Sequence, residues 1–312
     1  MRADPQSAHI ITHREVLARL DGAEKKRLLA RSDRAGLERL AVHGGAAVLI
    51  GWLIGAQVPG WPFLLLIQGM LLVFLFAPLH ETIHKTAFAS DGLNRVVAAV
   101  CGFLLLIPPG WFRYFHFAHH RHTQDPERDP ELAFPKPKTR RDYWLFLTGW
   151  PVWKGLAQAL WRNALGYDGK NGQAEAFVPR GKRREICGEA RLFLVLYGVL
   201  ALFVVSGSGV GQILLWAWIV PVIVGQPFLR AFLLAEHALC PETSNMLVNT
   251  RTTFTHRLLR FLTWNMSFHI EHHALPAAPF HCLPRLHEHL RDHLGVTARG
   301  YQSFHRQYRA SL

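Results

Sequence analysis

The sequence predicts an all-α integral membrane protein with four transmembrane helices in two hairpins and a cytosolic helical cap that holds a metal site. Three observations support this prediction. Two long stretches carry no charge, every basic residue lies outside them, and histidines cluster beside their ends. We expect residues 1–312 to form a single domain.

Two stretches, residues 40–79 and 192–229, contain no Lys, Arg, Asp or Glu, although 18% of the chain is charged. Because about 20 apolar residues cross a hydrocarbon core of roughly 30 Å, each stretch accommodates two spanning helices. Turn-forming residues interrupt both stretches near the middle, QVPG at 57–60 and SGSG at 206–209. Each stretch is therefore predicted to be a tight helical hairpin.

The basic residues predict the orientation of these hairpins. All 35 Lys and Arg residues lie in segments 1–39, 80–191 and 230–312. By the positive-inside rule, these three segments, and with them both termini, face the cytoplasm. The net charge of +13 favours contact with anionic lipid, and no nucleic-acid-binding motif accompanies it. Four isolated cysteines, without a CxxC pair, indicate neither a disulfide framework nor a thiolate zinc site.

Nine of the 19 histidines are arranged as three short motifs and one isolated residue. Residues three or four apart share one face of a helix, so each motif projects its imidazoles in one direction. Imidazole nitrogen binds zinc, copper, iron and nickel. The motifs are HxxxH, HxxHH and a second HxxHH, and the nine predicted metal ligands are His80, His84, His116, His119, His120, His237, His269, His272 and His273.

Nine imidazoles exceed the needs of one metal ion, since structural zinc takes four ligands and catalytic zinc three from the protein. We therefore predict two ions. Neutral ligands leave such a site highly positive, and Glu81, Glu236 and Glu271 each adjoin a predicted ligand. These carboxylates could balance the charge, but we favour a role in orienting imidazoles through their second N–H group.

Two other classes of protein fit part of the same pattern. Residues 80–84, HETIH, match the HExxH motif of zinc proteases, in which the glutamate is the general base. An intramembrane zinc protease would use only two of the nine histidines. A metal-binding or metal-transport membrane protein is the other alternative, but transporters carry ionisable residues inside their spans, and the two stretches here contain only His43.

The chain resembles the membrane fatty acid desaturase and hydroxylase superfamily in HETIH (80–84), HFAHH (116–120) and FHIEHH (268–273). The resemblance implies four transmembrane helices and two iron ions in a non-haem diiron centre at the cytosolic edge of the membrane, with O2 as co-substrate. It also implies that His237 is an additional ligand. Electrons are expected from an external donor, a ferredoxin or similar carrier.

The sequence departs from this family in one respect. Some members have an asparagine one helical turn before the additional histidine, where this chain has Leu233. Asn265, one turn before His269, could instead lie beside the metal site, or it could cap or pack a helix. Asp125 and Asp129, in the run HTQDPERDPE, are expected to cap and anchor the ligand helices, with substrate contact as the alternative.

The predicted reaction is O2-dependent oxidation of a lipid, and the favoured outcome is a double bond in a fatty acyl chain. Hydroxylation or keto-group formation on a lipid such as a carotenoid or an alkane would use the same histidines. The outcomes differ by sub-ångström positioning of the substrate carbon, which sequence patterns do not encode.

Overall fold

A computed structural model describes residues 11–134, 136–166 and 176–312. In this part of the chain nearly all regular structure is helical. The α-helices are α1 (His13–Ala18), α2 (Gly22–Leu28), α3 (Asp33–Gly55), α4 (Trp61–Val73), α5 (Phe76–His84), α6 (Asp91–Leu105), α7 (Pro109–His122), α8 (Arg140–Leu147), α9 (Trp150–Leu165), α10 (Arg183–Val205), α11 (Gly209–Leu214), α12 (Val220–His237), α13 (Met246–Asn249), α14 (Arg257–Leu262), α15 (His269–Ala274), α16 (Leu283–Leu290) and α17 (Tyr301–Ala310).

Short irregular elements complete the fold. A π-helix over Leu215–Ile219 joins α11 to α12, and a 3₁₀ helix over Pro130–Ala133 follows α7. Two-residue strands β1 (Thr252–Thr253) and β2 (Thr297–Ala298) pair in parallel, with Thr252 opposite Thr297. This pairing ties the segment before α15 to the C-terminal part of the chain.

Within the described residues, four helical segments are long and apolar enough to cross a membrane, which confirms the predicted fold class. They are Gly22–Gly55, Trp61–His84, Arg180–Val205 and Gly209–His237. The segments extend beyond the charge-free stretches at their polar ends. Asp33, for example, begins α3, so residues 33–39 form its first turns.

Both predicted hairpin tips lie between helices. α3 ends at Gly55 and α4 begins at Trp61, and Gly60 adopts a left-handed conformation with φ of 80° that a side chain would disfavour. At the second tip, the Ser208 hydroxyl caps α11 by accepting a hydrogen bond of 3.2 Å from the Gly211 amide. The turn residues at 57–60 and 206–209 therefore separate the two helices of each hairpin, as the sequence predicts.

The second and fourth apolar segments cross at a pair of glycines. A Cβ atom on Gly69 in α4 would lie 2.6 Å from the Pro221 carbonyl oxygen, and one on Gly225 in α12 would collide with the Gly69 carbonyl oxygen. Only residues without a side chain permit this approach of two backbones. The crossing brings the end of α5, which continues from α4, near the end of α12, so His84 and His237 belong to one site.

The apolar stretch before the second histidine motif does not continue straight. α6 ends at Leu105, and α7 leaves Pro109 at an angle of 93° to it. The Glu189 carboxylate of α10 accepts hydrogen bonds from the Gly110 and Trp111 amides, at 3.1 and 3.4 Å. This contact satisfies free amides at the N-terminus of α7 and anchors the helix that carries three predicted ligands.

Candidate metal centre

The nine predicted ligands lie on α5, α7, α12 and α15, and their side chains meet in two groups. One ligand atom from each of five histidines falls within 4.8 Å of all the others, and three further histidines do the same. The ninth, His269, joins the smaller group, because its Nε2 lies 3.1 Å from Nε2 of His237. The larger group is His80, His84, His116, His120 and His272, and the smaller is His119, His237, His269 and His273.

Each HxxHH motif contributes to both groups. On α7, His116 and His120 belong to the larger group, whereas His119 belongs to the smaller one. Neighbouring residues on an α-helix differ in direction by about 100°, so adjacent histidines face different partners. α15 divides in the same way between His272 and His273. The two groups are therefore built jointly by the two motifs, rather than one by each.

The imidazoles converge through their nitrogen atoms. Nε2 of His120 lies 2.9 Å from Nε2 of His116 and 3.0 Å from Nε2 of His272. In the smaller group, Nε2 of His119 lies 3.1 Å from Nε2 of His237. These distances bring the nitrogen lone pairs close together. A cation bound between them would stabilise this arrangement.

The protonation of the rings also fits metal ions. Burial lowers the pKa of His272 and of His273 well below its usual value, so both rings are neutral and keep a lone pair at neutral pH. Among the described residues, nothing hydrogen-bonds to Nε2 of His84, to Nε2 of His273 or to either ring nitrogen of His80. Buried polar atoms rarely lack a partner, and all three histidines could bind a metal through these atoms.

Asp129 holds one ring of the smaller group. Nδ1 of His119 donates to both carboxylate oxygens of Asp129, at 2.9 and 3.1 Å, and leaves Nε2 directed at His237. The same carboxylate accepts from the amides of Gln124 and Glu131 and so caps the turn after α7. The expected anchoring role of Asp129 is thus combined with orientation of an imidazole.

Glu131 contacts the other nitrogen of the same ring. Its Oε2 lies 3.3 Å from Nε2 of His119, on the side where the ligand atoms converge. No motif in the sequence singles out Glu131, although it belongs to the acidic run that includes Asp125 and Asp129. The feature of the sequence that could have indicated Glu131 is the density of carboxylates directly after a histidine motif.

Two of the predicted orienting glutamates lie close to ligand rings. Oε1 of Glu236 is 3.4 Å from Nδ1 of His269, and Oε1 of Glu81 is 3.9 Å from Nδ1 of His80. Oε2 of Glu81 accepts from the Thr86 hydroxyl at 2.7 Å. Glu81 is fully buried, and its Oε2 also accepts from the Phe280 amide at 3.1 Å, so contacts within the protein hold this carboxylate.

The remaining three predicted residues bond elsewhere in the described part of the chain. Glu271 accepts hydrogen bonds from Thr252 and His287, which fixes α15 from its outer side. Asn265 donates to the Phe280 carbonyl oxygen at 3.0 Å, in keeping with a packing role. Asp125 pairs with Arg128 in the turn that follows α7, so its contacts are those of a capping residue.

Backbone and hydroxyl groups orient two further rings. No sequence motif predicts these orienting groups. Nδ1 of His237 donates to the Asn249 carbonyl oxygen at 3.4 Å, and Nδ1 of His273 lies 3.3 Å from the Thr123 hydroxyl. The side-chain Nε2 of Gln124 donates to the His237 carbonyl oxygen at 2.7 Å. These contacts come from segments far apart in sequence, and no short motif predicts them.

A cavity of about 150 Å³ opens beside the two groups. Four predicted ligands contribute to its wall, and aromatic and aliphatic side chains supply most of the remainder, with Leu233 among them. Four charged residues also line it, namely Glu131, Lys136, Arg230 and Glu236. The cavity can therefore hold an apolar group against the candidate metal centre with a polar group beside it.

The sequence is similar to those of several desaturases. It is 28% identical to the dihydrorhizobitoxine desaturase of Bradyrhizobium elkanii over 225 residues, which are 64% of this chain and 59% of that protein. Identity to the fatty acid conjugase FAC2 B of Calendula officinalis is 26% over 248 residues, 70% of this chain and 64% of that protein. The sn-1 oleoyl-lipid 12-desaturase of a Picosynechococcus species is 22% identical over 264 residues, 80% of this chain and 75% of that protein.

The chain spans less than two thirds of the length of the first two of these relatives, at 59% and 64%. Residues 59–305 match the fatty acid desaturase family. This match covers most of the chain and includes all three histidine motifs. The chain therefore belongs to the fatty acid desaturase family.

Proposed function

We propose that the protein is an O2-dependent membrane oxidoreductase that introduces a double bond into the acyl chain of a lipid. The observation that carries this proposal is the pair of buried histidine groups beside a largely apolar cavity. Family membership and the desaturase names of its relatives support the same reaction.

The nine histidines are the proposed ligands of two iron ions, five at one position and four at the other. A bound pair of iron ions would supply the oxidising power for C–H cleavage, using O2 and electrons from an external donor such as a ferredoxin. Iron is a suitable metal for sites built from imidazole nitrogen. Imidazole ligands bring no negative charge, so carboxylates such as Glu131 would offset part of the positive charge of the ions.

The protein's own groups position this chemistry. Asp129 and the Asn249 carbonyl hold the rings of His119 and His237 so that their Nε2 atoms face each other. Phe112, in the cavity wall, would pack against an alkyl chain and keep water away from it. The substrate carbon would then lie next to the histidine groups, against the largely apolar part of the cavity wall.

We further propose that both termini and the metal centre face the cytoplasm. The described part of the chain has four helical segments that could span a membrane, and the basic residues lie at the ends opposite the two hairpin tips. A reporter that is active only in the cytoplasm, fused after Leu312, should be active. A reporter inserted at residues 206–209 should be inactive, and the reverse result would overturn this orientation.

The reaction is tested by profiling lipids from cells that express the protein, with His120→Ala as the inactive variant and His293→Ala as the matched control. New lipids that have lost two hydrogen atoms in wild type and His293→Ala, but not in His120→Ala, are expected. Products that have gained one oxygen atom would instead identify a hydroxylase.

Metal analysis of the purified protein gives an independent test. We expect about two iron ions per chain, as the two groups of histidines require. One zinc ion per chain together with peptidase activity would overturn the proposal and favour a zinc protease. An active protein that contains neither metal would overturn both functions.

A further inference from the structure

Arg230 is a buried cation in the wall of the cavity beside the histidine groups. It belongs to α12, within the fourth apolar segment, and only 7% of its surface is exposed. A buried charge is costly unless it is paired, so such a residue usually has a function. Arg230 therefore requires an explanation that packing alone does not supply.

The guanidinium of Arg230 has no direct partner among the described residues. Its Nε is buried and makes no hydrogen bond, and Glu131 and Glu236 act on the guanidinium electrostatically without an ion-pair contact. Two other internal arginines, by contrast, donate to carbonyl groups. Arg251 donates to the Ala235 and Ala238 carbonyl oxygens at 2.6 and 2.7 Å, and Arg113 donates to that of Ile83 at 2.7 Å.

The other charged groups of the cavity already have contacts. Lys136 donates to the carbonyl oxygen of His237 at 3.2 Å and to the side chain of Gln124 at 3.3 Å. Glu131 lies against His119, and Glu236 lies against His269. Of these four charged residues, Arg230 is thus the one whose donors remain available to a molecule that enters the cavity.

The spacing along α12 places these donors close to the histidines. Arg230 precedes His237 by seven residues, so the two side chains share one face of the helix. At a rise of 1.5 Å per residue, their Cα atoms are separated by about 10 Å along the helix axis. His80, His116, His119 and His269 line the same cavity as Arg230.

We propose that Arg230 binds an oxyanion of the substrate, a carboxylate or a phosphate, while the alkyl part lies against the aromatic wall. The planar guanidinium matches either group through paired hydrogen bonds. Since the oxyanion and the oxidised carbon occupy one small cavity, the double bond forms near the polar end of the substrate. This inference rests on the proposed function, whose reaction it makes more specific.

Binding to purified protein in detergent, without electron donor, tests this proposal. The probes are dodecanoate, dodecyl phosphate and dodecanol, which share a chain length and differ in the polar group. Wild type should bind at least one anionic probe about tenfold more tightly than dodecanol, as expected for a charged hydrogen bond. The tighter of the two anionic probes identifies the oxyanion as a free acid or as a phosphate headgroup. Equal binding of all three would overturn the proposal.

Variants test whether a preference for the anionic probes depends on Arg230. Arg230→Gln should lose the preference for anions, Arg230→Lys should retain part of it, and the exposed control Arg257→Gln should retain all of it. The ratio of anion to alcohol affinity is measured within each variant, so a general loss of stability does not imitate the result. An unchanged ratio in Arg230→Gln would overturn the proposal.

Product analysis separates this proposal from the proposed function. If the protein oxidises lipids, tandem mass spectrometry should place the new double bond in the half of the chain nearest the polar group. A double bond in the distal half would overturn the role of Arg230 and leave the desaturase function intact. Selective anion binding by a protein that oxidises no lipid would support the role of Arg230 and overturn the desaturase function.

Discussion

Oε2 of Glu131 lies 3.3 Å from Nε2 of His119, whereas Asp129 holds Nδ1 of the same ring at 2.9 Å. The two carboxylates therefore act on opposite sides of one imidazole. Asp129 is on the side that orients the ring, and Glu131 is on the side where the ligand atoms converge. This difference gives the two acids separable effects.

Replacement of Glu131 tests the charge balance of the metal centre. Glu131→Gln removes a negative charge next to His119, so bound iron should be lost to a chelator about tenfold faster. The measurement is the rate of iron release from purified protein. Glu127→Gln, an exposed acid in the same run, is the control and should release iron at the wild-type rate. Equal rates for both variants would show that Glu131 does not influence the metal.

Replacement of Asp129 tests ring orientation. Asp129→Asn retains the shape but accepts a weaker hydrogen bond from His119, so iron affinity should fall by 10- to 100-fold, as is typical for groups that orient a metal ligand. Equilibrium iron binding measures this effect. Asp125→Asn provides the matched control, because Asp125 bonds to Arg128 at the surface. Similar losses in both variants would indicate general damage to the turn.

Replacement of Gly225 tests the crossing of α4 and α12. Gly225→Val inserts a side chain against the Gly69 backbone and should destabilise the protein by about 1–3 kcal/mol or more, because the packed backbones have to separate. The midpoint of thermal unfolding in detergent measures the effect. A Cβ on Gly198 of α10 meets nothing within 4 Å, so Gly198→Ala should leave the midpoint unchanged or raise it. A wild-type midpoint for Gly225→Val would mean that the crossing tolerates a larger separation.

Replacement of Glu189 tests the anchor of α7. Glu189→Gln weakens the acceptance of the Gly110 and Trp111 amides and should lower stability by about 0.5–2 kcal/mol, as for loss of a helix cap. The accompanying displacement of α7 should also reduce iron content. Glu185→Gln, one turn earlier on α10, serves as the control because Glu185 pairs with the exposed Lys182. Normal stability of Glu189→Gln would contradict the anchoring role.

Several features of the protein follow from local sequence alone. Hydropathy and charge identify the four apolar segments, and the turn residues at 57–60 and 206–209 end the first helix of each hairpin. The histidine motifs identify the side chains that converge, because helical spacing places residues three and four apart on one face. These properties depend on neighbours in the chain, so they can be read before the chain folds.

The tertiary structure decided how those side chains are distributed and which other groups reach them. The division of each HxxHH motif between two groups depends on the rotation of α7 and α15 relative to α5 and α12. Glu131 lies against a ligand ring, and Arg230 is enclosed with its Nε free of any hydrogen bond to the described residues. Helix rotation and crossing are set by packing between distant segments, such as the contact of Gly69 with Gly225, and no local pattern specifies them.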